Sequence, residues 1–168
     1  MSPTASDIDE ALMHEARSRA RFSTDRSRQV RCVIADDSGT ILSEGWNTVP
    51  VGCAHTEARH QRPAKYLWTE HAERNAVYLA ARRGVPLEGA TIYVPWYPCF
   101  DCARAIVNTG IQRMVSYPPD FSDPHWGDQF REVFELFSEV GLKVDFLKGE
   151  PPQLADCTSA DNTCEMET

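Results

Sequence analysis

The spacing of apolar residues changes period several times along this chain, and each change marks an element. Ile8, Leu12, Ala16 and Ala20 recur at every fourth position, which predicts a helix with a narrow buried stripe, opened by Ser6 as N-cap with an acid, Asp9, three residues on. Arg17, Arg19 and Arg21 lie off that stripe and are expected in solvent. Residues 30–35 read as a strand, Asp36-Asp37-Ser38-Gly39 as turn chemistry, and residues 40–46 as a second strand closing a hairpin. From Asn47 to about Trp68 no period is sustained, and this long loop is one that a compact domain rarely keeps without a use. Residues 69–83 predict a helix stopped by Gly84, with Ala72, Ala76, Leu79 and Ala80 inward. Strands follow at 91–94, 113–117 and 143–147. Between them lie helices at 99–109, with Ala103, Ile106 and Val107 inward, and at 127–140, with Phe130, Val133, Phe134, Phe137 and Val140 on one face. This alternation predicts one mixed α/β sheet covered by helices, with the later strands parallel through helical crossovers. After Gly149 the composition turns to Pro, Ser, Thr, Asp and Glu, so the expectation is a single domain over 1–149 and an acidic, disordered tail over 150–168.

Composition narrows the function classes. With 168 residues, 42% hydrophobic and 25% charged, the chain has the make-up of one globular domain. No stretch approaches the roughly 20 apolar residues of a membrane helix. The start shows no basic region followed by an apolar run, so a secretory signal is not expected. The net charge of -8 argues against a nucleic-acid partner, which needs a basic face, while leaving room for a small anionic substrate held by a few local cations. Six cysteines, at 32, 53, 99, 102, 157 and 164, without a signal sequence point to a reducing, cytoplasmic setting in which cysteines serve as ligands, nucleophiles or core residues.

Two motifs carry chemistry. His71-Ala72-Glu73 and Pro98-Cys99-Phe100-Asp101-Cys102 each stand where a helix begins. One imidazole and two thiolates would leave a tetrahedral zinc one open position for water, and helix N-termini favour thiolate over thiol. Glu73 is placed to move that water's protons to a substrate ring nitrogen and to a leaving amine. H-x-E followed by P-C-x-x-C is the signature of the zinc nucleobase deaminases. Either motif alone is weak; both in this order outweigh coincidence. A closed structural zinc could draw a fourth ligand from Cys53, His55 or His60, but would leave Glu73 unexplained.

These residues, with Gln29-Val30, Gly45-Trp46-Asn47-Thr48-Val49-Pro50, Asn75-Ala76 and Leu87-Glu88-Gly89-Ala90-Thr91, resemble the zinc-dependent cytidine and deoxycytidylate deaminase family over about residues 25–147, and within it the deoxycytidylate branch. The resemblance implies a five-stranded sheet of order 2-1-3-4-5 with helices on both faces, usually in a homo-oligomer. It implies His71, Cys99 and Cys102 as zinc ligands, Glu73 as proton shuttle, Ala72 at the pyrimidine's polar edge and Asn47 at the nucleoside. The expected reaction is hydrolysis of dCMP to dUMP and ammonia. Trp46, Pro95 and Trp96 depart from the family pattern and motivate an alternative, another small amino-heterocycle as substrate. A second alternative is a non-catalytic zinc-binding module with the same fold, against which Glu73 speaks.

Other positions allow a plain reading beside a functional one. Trp96 and Tyr97 either pack a sheet end or line the pocket, and Tyr97 is taken as lining because it adjoins Pro98. Arg59, Arg62 and Lys65 could clamp a phosphate or simply be solvated. A second zinc on Cys53, His55 and His60 fits no standard spacing and is not expected. Cys157 and Cys164 have no chemical role in this reading, His14 and His125 read as surface or loop histidines, and Trp126 could pack over the mouth.

Overall fold

A computed structural model describes residues 4–152. The helix α1 (Ala5–Ser18) begins earlier than expected. Thr4, not Ser6, is its N-cap, and a reciprocal capping box with Asp7 satisfies the free N–H groups there. The fourfold stripe holds at Leu12, Ala16 and Ala20, joined by Met13. Of the three arginines expected in solvent, Arg17 instead donates to the Tyr117 hydroxyl at 2.9 Å.

The hairpin of β1 (Arg31–Ala35) and β2 (Ile41–Trp46) is antiparallel, and β1 pairs antiparallel with β3 (Thr91–Tyr93) on its other side. β3, β4 (Arg113–Ser116) and β5 (Lys143–Phe146) are mutually parallel, which completes the order β2-β1-β3-β4-β5. The parallel pairs are joined by α5 (Phe100–Asn108) and α6 (Gly127–Glu139), as parallel pairing requires. The long loop contains two single-turn helices, α2 (Glu57–His60) and α3 (Lys65–Trp68), which are not legible as periods because each has only four residues. α4 (Ala72–Arg83) follows and ends at Gly84, whose φ of 66° is the left-handed stop expected of glycine.

The sheet is the middle of three layers. Cys32, Ile34, Ile92 and Met114 point to one face, where Ala72, Ala76 and Ala80 of α4, Ala103 and Ile106 of α5 and Val133 and Phe137 of α6 pack. Val33, Ala35, Tyr93 and Val115 point to the other, against Leu12, Met13 and Ala16 of α1. Because both faces are covered, β1 is buried at every residue and shows no alternation. The expected face of α6 is too wide: Phe134 and Val140 are half exposed, because the helix lies at the β5 edge and only part of its apolar side meets the sheet. Phe134 instead meets Phe121 edge-on at 6.4 Å.

Two cations tie α1 to the sheet. Arg31, 1% exposed, donates to Glu15 and Glu44, and Arg113 forms a two-pronged pair with Asp9 while its Nε reaches Asp145 at 2.7 Å. No helix among the described residues is long and apolar enough to cross a membrane.

Candidate active site

The chain turns from extended to helical backbone at His71 and again at Cys99. These are the N-cap positions of α4 and α5, and neither side chain is used to cap its own helix. Both helices pack side by side on one face of the sheet, so the two starts meet. His71 Nδ1 lies 3.4 Å from Cys99 Sγ and 3.5 Å from Cys102 Sγ. A tetrahedral zinc, with bonds of about 2.3 Å to sulfur and 2.0 Å to nitrogen, separates a nitrogen and a sulfur ligand by about 3.5 Å. The trio therefore fits three corners of a zinc site, and among the described residues it is the group of this kind compact enough to hold an ion. Cys99 is held down at about 4, first by the hydrogen bond from Cys102 and then by His71, over the opposing effect of burial. Cys102 is pushed up by the hydrogen bond it donates and by burial, so a metal entering here displaces its proton.

Supporting bonds fix the geometry. Glu70 accepts from the His71 N–H at 2.9 Å and from Arg74 Nε at 2.6 Å, and Arg74 also faces Asp101. Gln129 of α6 accepts from the Phe100 N–H at 3.0 Å, which occupies a free donor at the start of α5. Thr48 and Glu70 exchange backbone bonds, so the long loop is pinned to the start of α4. On the other side β2 approaches α4 closely. Asn75 Nδ2 donates to the Trp46 carbonyl and Ser43 Oγ to the Ala76 carbonyl, each at 2.7 Å, and Gly45 sits between with no room for a side chain.

His71 and Cys99 of the trio open onto a cavity of about 460 Å³, within the range of small-molecule sites, while Cys102 is buried behind them. Its wall includes Ala72 and Glu73, which are 1% and 6% exposed. Burial pushes the Glu73 carboxyl up, against the pull of His71. Trp96, Tyr97, Trp126 and Phe130 supply aromatic wall, with Tyr97 edge-on to Phe130 at 5.5 Å. The Trp96 indole N–H and the Tyr97 hydroxyl are buried without a protein partner among the described residues, and burial raises Tyr97 to about 12.

The structure thus brings together His71, Cys99, Cys102, Glu73, Ala72, Asn47, Trp96 and Tyr97. Asn47 differs from its expected use. Its Oδ1 accepts from the Val30 N–H at 2.8 Å and the Ser23 hydroxyl at 2.6 Å, and its Nδ2 donates to the Arg28 carbonyl at 2.7 Å, so most of its capacity serves the protein. The expected basic cluster is divided. Arg62 lines the cavity; Lys65 does too but is 2.8 Å from Asp25 in a buried ion pair; Arg59 stacks over Trp68 at 3.7 Å and donates to the Ala54 carbonyl, away from the wall. His55 and His60 stack on each other at 5.8 Å, and with Cys53 they do not form a cluster tight enough for an ion. His125, read as a loop residue, lines the cavity with Trp126, both set by N–H bonds to Asp123.

Pattern reading misses Asp25, Arg28 and Pro152 in the wall. Asp25 and Arg28 precede the first strand in a stretch without period, and the only signal there is turn-type composition. Pro152 lies beyond the expected boundary at 149 and is buried; the remaining tail, 153–168 with Cys157 and Cys164, is outside the described residues.

Residues 6–117 match the family model described as the cytidine and deoxycytidylate deaminase zinc-binding region. A protein named as an uncharacterized deaminase in the luxG 3′ region of Aliivibrio fischeri is 36% identical over 129 residues, covering 75% of this chain and 84% of that protein. Deoxycytidylate deaminase of Enterobacteria phage T4 is 41% identical over 99 residues, covering 55% of this chain and 51% of that protein. The structure of dCMP deaminase from the cyanophage S-TIM5 in complex with dCMP and dUMP shares the fold, with a TM-score of 0.68 at 23% identity over 86% of this chain and all of that one.

Proposed function

The chain belongs to the cytidine and deoxycytidylate deaminase zinc-binding family, and from that premise we propose that it hydrolyses an aminopyrimidine nucleotide, dCMP, to dUMP and ammonia. One observation carries the reading: Glu73 lines the same cavity as His71 and Cys99, which with the buried Cys102 behind them form the trio. The trio is suited to zinc, which when bound supplies a Lewis acid that lowers the pKa of water towards neutrality.

In this reading Glu73 accepts a proton from the attacking water and delivers it to the pyrimidine N3, while the oxygen adds to C4. The carboxylate then takes the remaining proton from the new C4 hydroxyl and passes it to the amine, so that the C4 carbonyl forms as the C4–N bond breaks and ammonia leaves. The raised affinity of buried Glu73 for a proton suits a group that must hold one between the two transfers. Ala72, at the first helical position of α4, presents backbone to the base, and Trp96, Tyr97, Trp126 and Phe130 wall it from water. Association into a homo-oligomer belongs to the same reading, carried by the resemblance alone, and so does a cytoplasmic location, carried by six cysteines without a visible signal sequence. The test is ammonia release from dCMP, deoxycytidine and cytosine by the zinc-loaded protein. dCMP is expected to be deaminated far faster; equal or faster turnover of an unphosphorylated base refutes the nucleotide assignment.

A further inference from the structure

We propose that Arg28 is the specificity-determining residue that receives the substrate's 5′-phosphate, and that Asp25 and Asn47 are positioning residues which hold it in place. The inference rests on the nucleotide reading above and names a residue in a segment that neither motif touches.

Three cationic side chains with permanent charge line the cavity: Arg28, Arg62 and Lys65. Lys65 is already matched, its Nζ 3.0 Å from Asp25 Oδ1 and 2.8 Å from Oδ2. Arg28 and Arg62 have no carboxylate within ion-pair distance among the described residues, and the Arg28 guanidinium donates no hydrogen bond there either. A guanidinium with its donors unspent, on the wall of a substrate cavity, is matched to a phosphate, which can accept two parallel N–H bonds.

Arg28 is distinguished from Arg62 by how firmly it is held. Its backbone N–H donates to Asp25 Oδ1 at 3.2 Å, beside the Ser27 N–H at 2.7 Å. Its carbonyl accepts from Asn47 Nδ2 at 2.7 Å. Asp25 is in turn fixed by Lys65, and Asn47 by Val30 and Ser23. The side chain then lies over the Trp96 ring, its guanidinium carbon 3.9 Å from the centroid. Backbone and side chain are thus both set before a ligand arrives, so little freedom is lost on binding. Both arginines are exposed, but Arg62 lies 5.9 Å from the Tyr66 ring, a looser contact than that of Arg28 with Trp96.

The charges facing Arg28 favour this role. Asp123, Asp25 and Arg62 are its charged neighbours, with Tyr66 beside them. Asp25 is neutralised by Lys65, and Asp123 is engaged by the His125 and Trp126 N–H groups. The chain as a whole carries a net charge of -8, so attraction of an anion depends on such local groups rather than on the long-range field. Asn47 also gains a role from this arrangement, because it shapes the segment that carries the phosphate-reading arginine.

The experiment compares zinc-loaded wild type, Arg28→Gln and Arg28→Lys, with kcat and KM measured for dCMP and for deoxycytidine, and zinc content and Tm as controls. Arg28→Gln is expected to lower the dCMP-to-deoxycytidine ratio of kcat/KM by roughly ten- to a hundredfold, mostly through KM, from the loss of charge-assisted bonds. Arg28→Lys is expected to recover part of it, since the charge returns without the fork. A wild type that prefers dCMP, with a preference that survives Arg28→Gln, overturns the role of Arg28 and leaves the nucleotide reading standing. Equal losses on both substrates also overturn it. A wild type with no preference for dCMP refutes the nucleotide reading, and the role of Arg28 with it.

Discussion

Gly45→Ala tests the link between the sheet and the zinc helix with a single methyl group. Built on the existing backbone, the new Cβ would overlap the Ala72 carbonyl oxygen and the Ala76 nitrogen and lie 2.9 Å from the Asn75 carbonyl carbon. All three are backbone atoms of α4, so no side chain can swing aside. Reaching ordinary contact requires β2 and α4 to separate by about 1 Å. That movement would break or stretch the bonds from Asn75 to Trp46 and from Ser43 to Ala76, both now 2.7 Å. Overpacking of this kind costs about 1–3 kcal/mol. For a chain of this size each kcal/mol lowers Tm by about 2–4 °C. The same displacement moves His71, Ala72 and Glu73 relative to Cys99 and Cys102 on α5, and a misplacement of about 1 Å can cost on the order of a hundredfold in rate. The expected result is a folded protein with Tm lowered by about 2–12 °C and kcat lowered far more than the stability loss would suggest. Thermal unfolding and dCMP turnover on the same zinc-loaded sample measure both. A variant with unchanged Tm and unchanged kcat would refute the claim that this contact sets the position of the zinc helix.

Glu73→Ala should keep zinc and fold while turnover falls by at least about a hundred- to ten-thousandfold, and loss of zinc as severe as in Cys102→Ser would make Glu73 a ligand instead. Cys102→Ser should lose most of its zinc and melt earlier, which metal analysis with thermal unfolding will show; full occupancy would remove Cys102 from the ligand set. At the buried pair, burial pushes the Asp25 carboxyl up, but Lys65 and the Ser27 and Arg28 N–H groups outweigh it and the net shift is down. An unfolded Asp titrates near about 3.9, so the stability that Asp25 contributes is present above that pH and is lost as pH falls through its lower folded value. Asp25→Asn should therefore flatten the acid limb of the stability–pH curve, and an unaltered limb would contradict the pairing. A chain ending at Pro152 should retain turnover, whereas one ending at Gly149 removes a buried piece of the cavity wall and should lose part of it; equal activity in the two would show that Pro152 is dispensable.

Local order along the chain is enough to define the elements and the reactive groups. The five strands, the helices α1, α4, α5 and α6 and the H-x-E and C-x-x-C motifs are legible because each depends on neighbours within one or two turns of chain: a repeat of apolar residues, a glycine stop, two ligands three residues apart on one helix. Short elements are not legible, since α2 and α3 have four residues each and establish no period. Thr4 and Ser6 offer the same local chemistry for an N-cap, and only the folded backbone separates them in favour of Thr4. Periodicity alone overstates the width of the α6 face, because burial of Phe134 and Val140 depends on where the sheet ends. The make-up of the cavity wall, by contrast, depends on contacts between segments far apart in the chain. Lys65 reads as a free cation in the sequence, yet Asp25, 40 positions away, neutralises it; Asn47 reads as available to a ligand, yet Ser23, Arg28 and Val30 occupy it. Arg28 shows the same limit from the other side, for beyond the local turn at Asp25 it gains its place from Asn47 and Trp96, two residues that no local spacing relates to it. Short-range periodicity reports which groups a chain carries, but pairing across distant segments determines which of those groups are still free to meet a substrate.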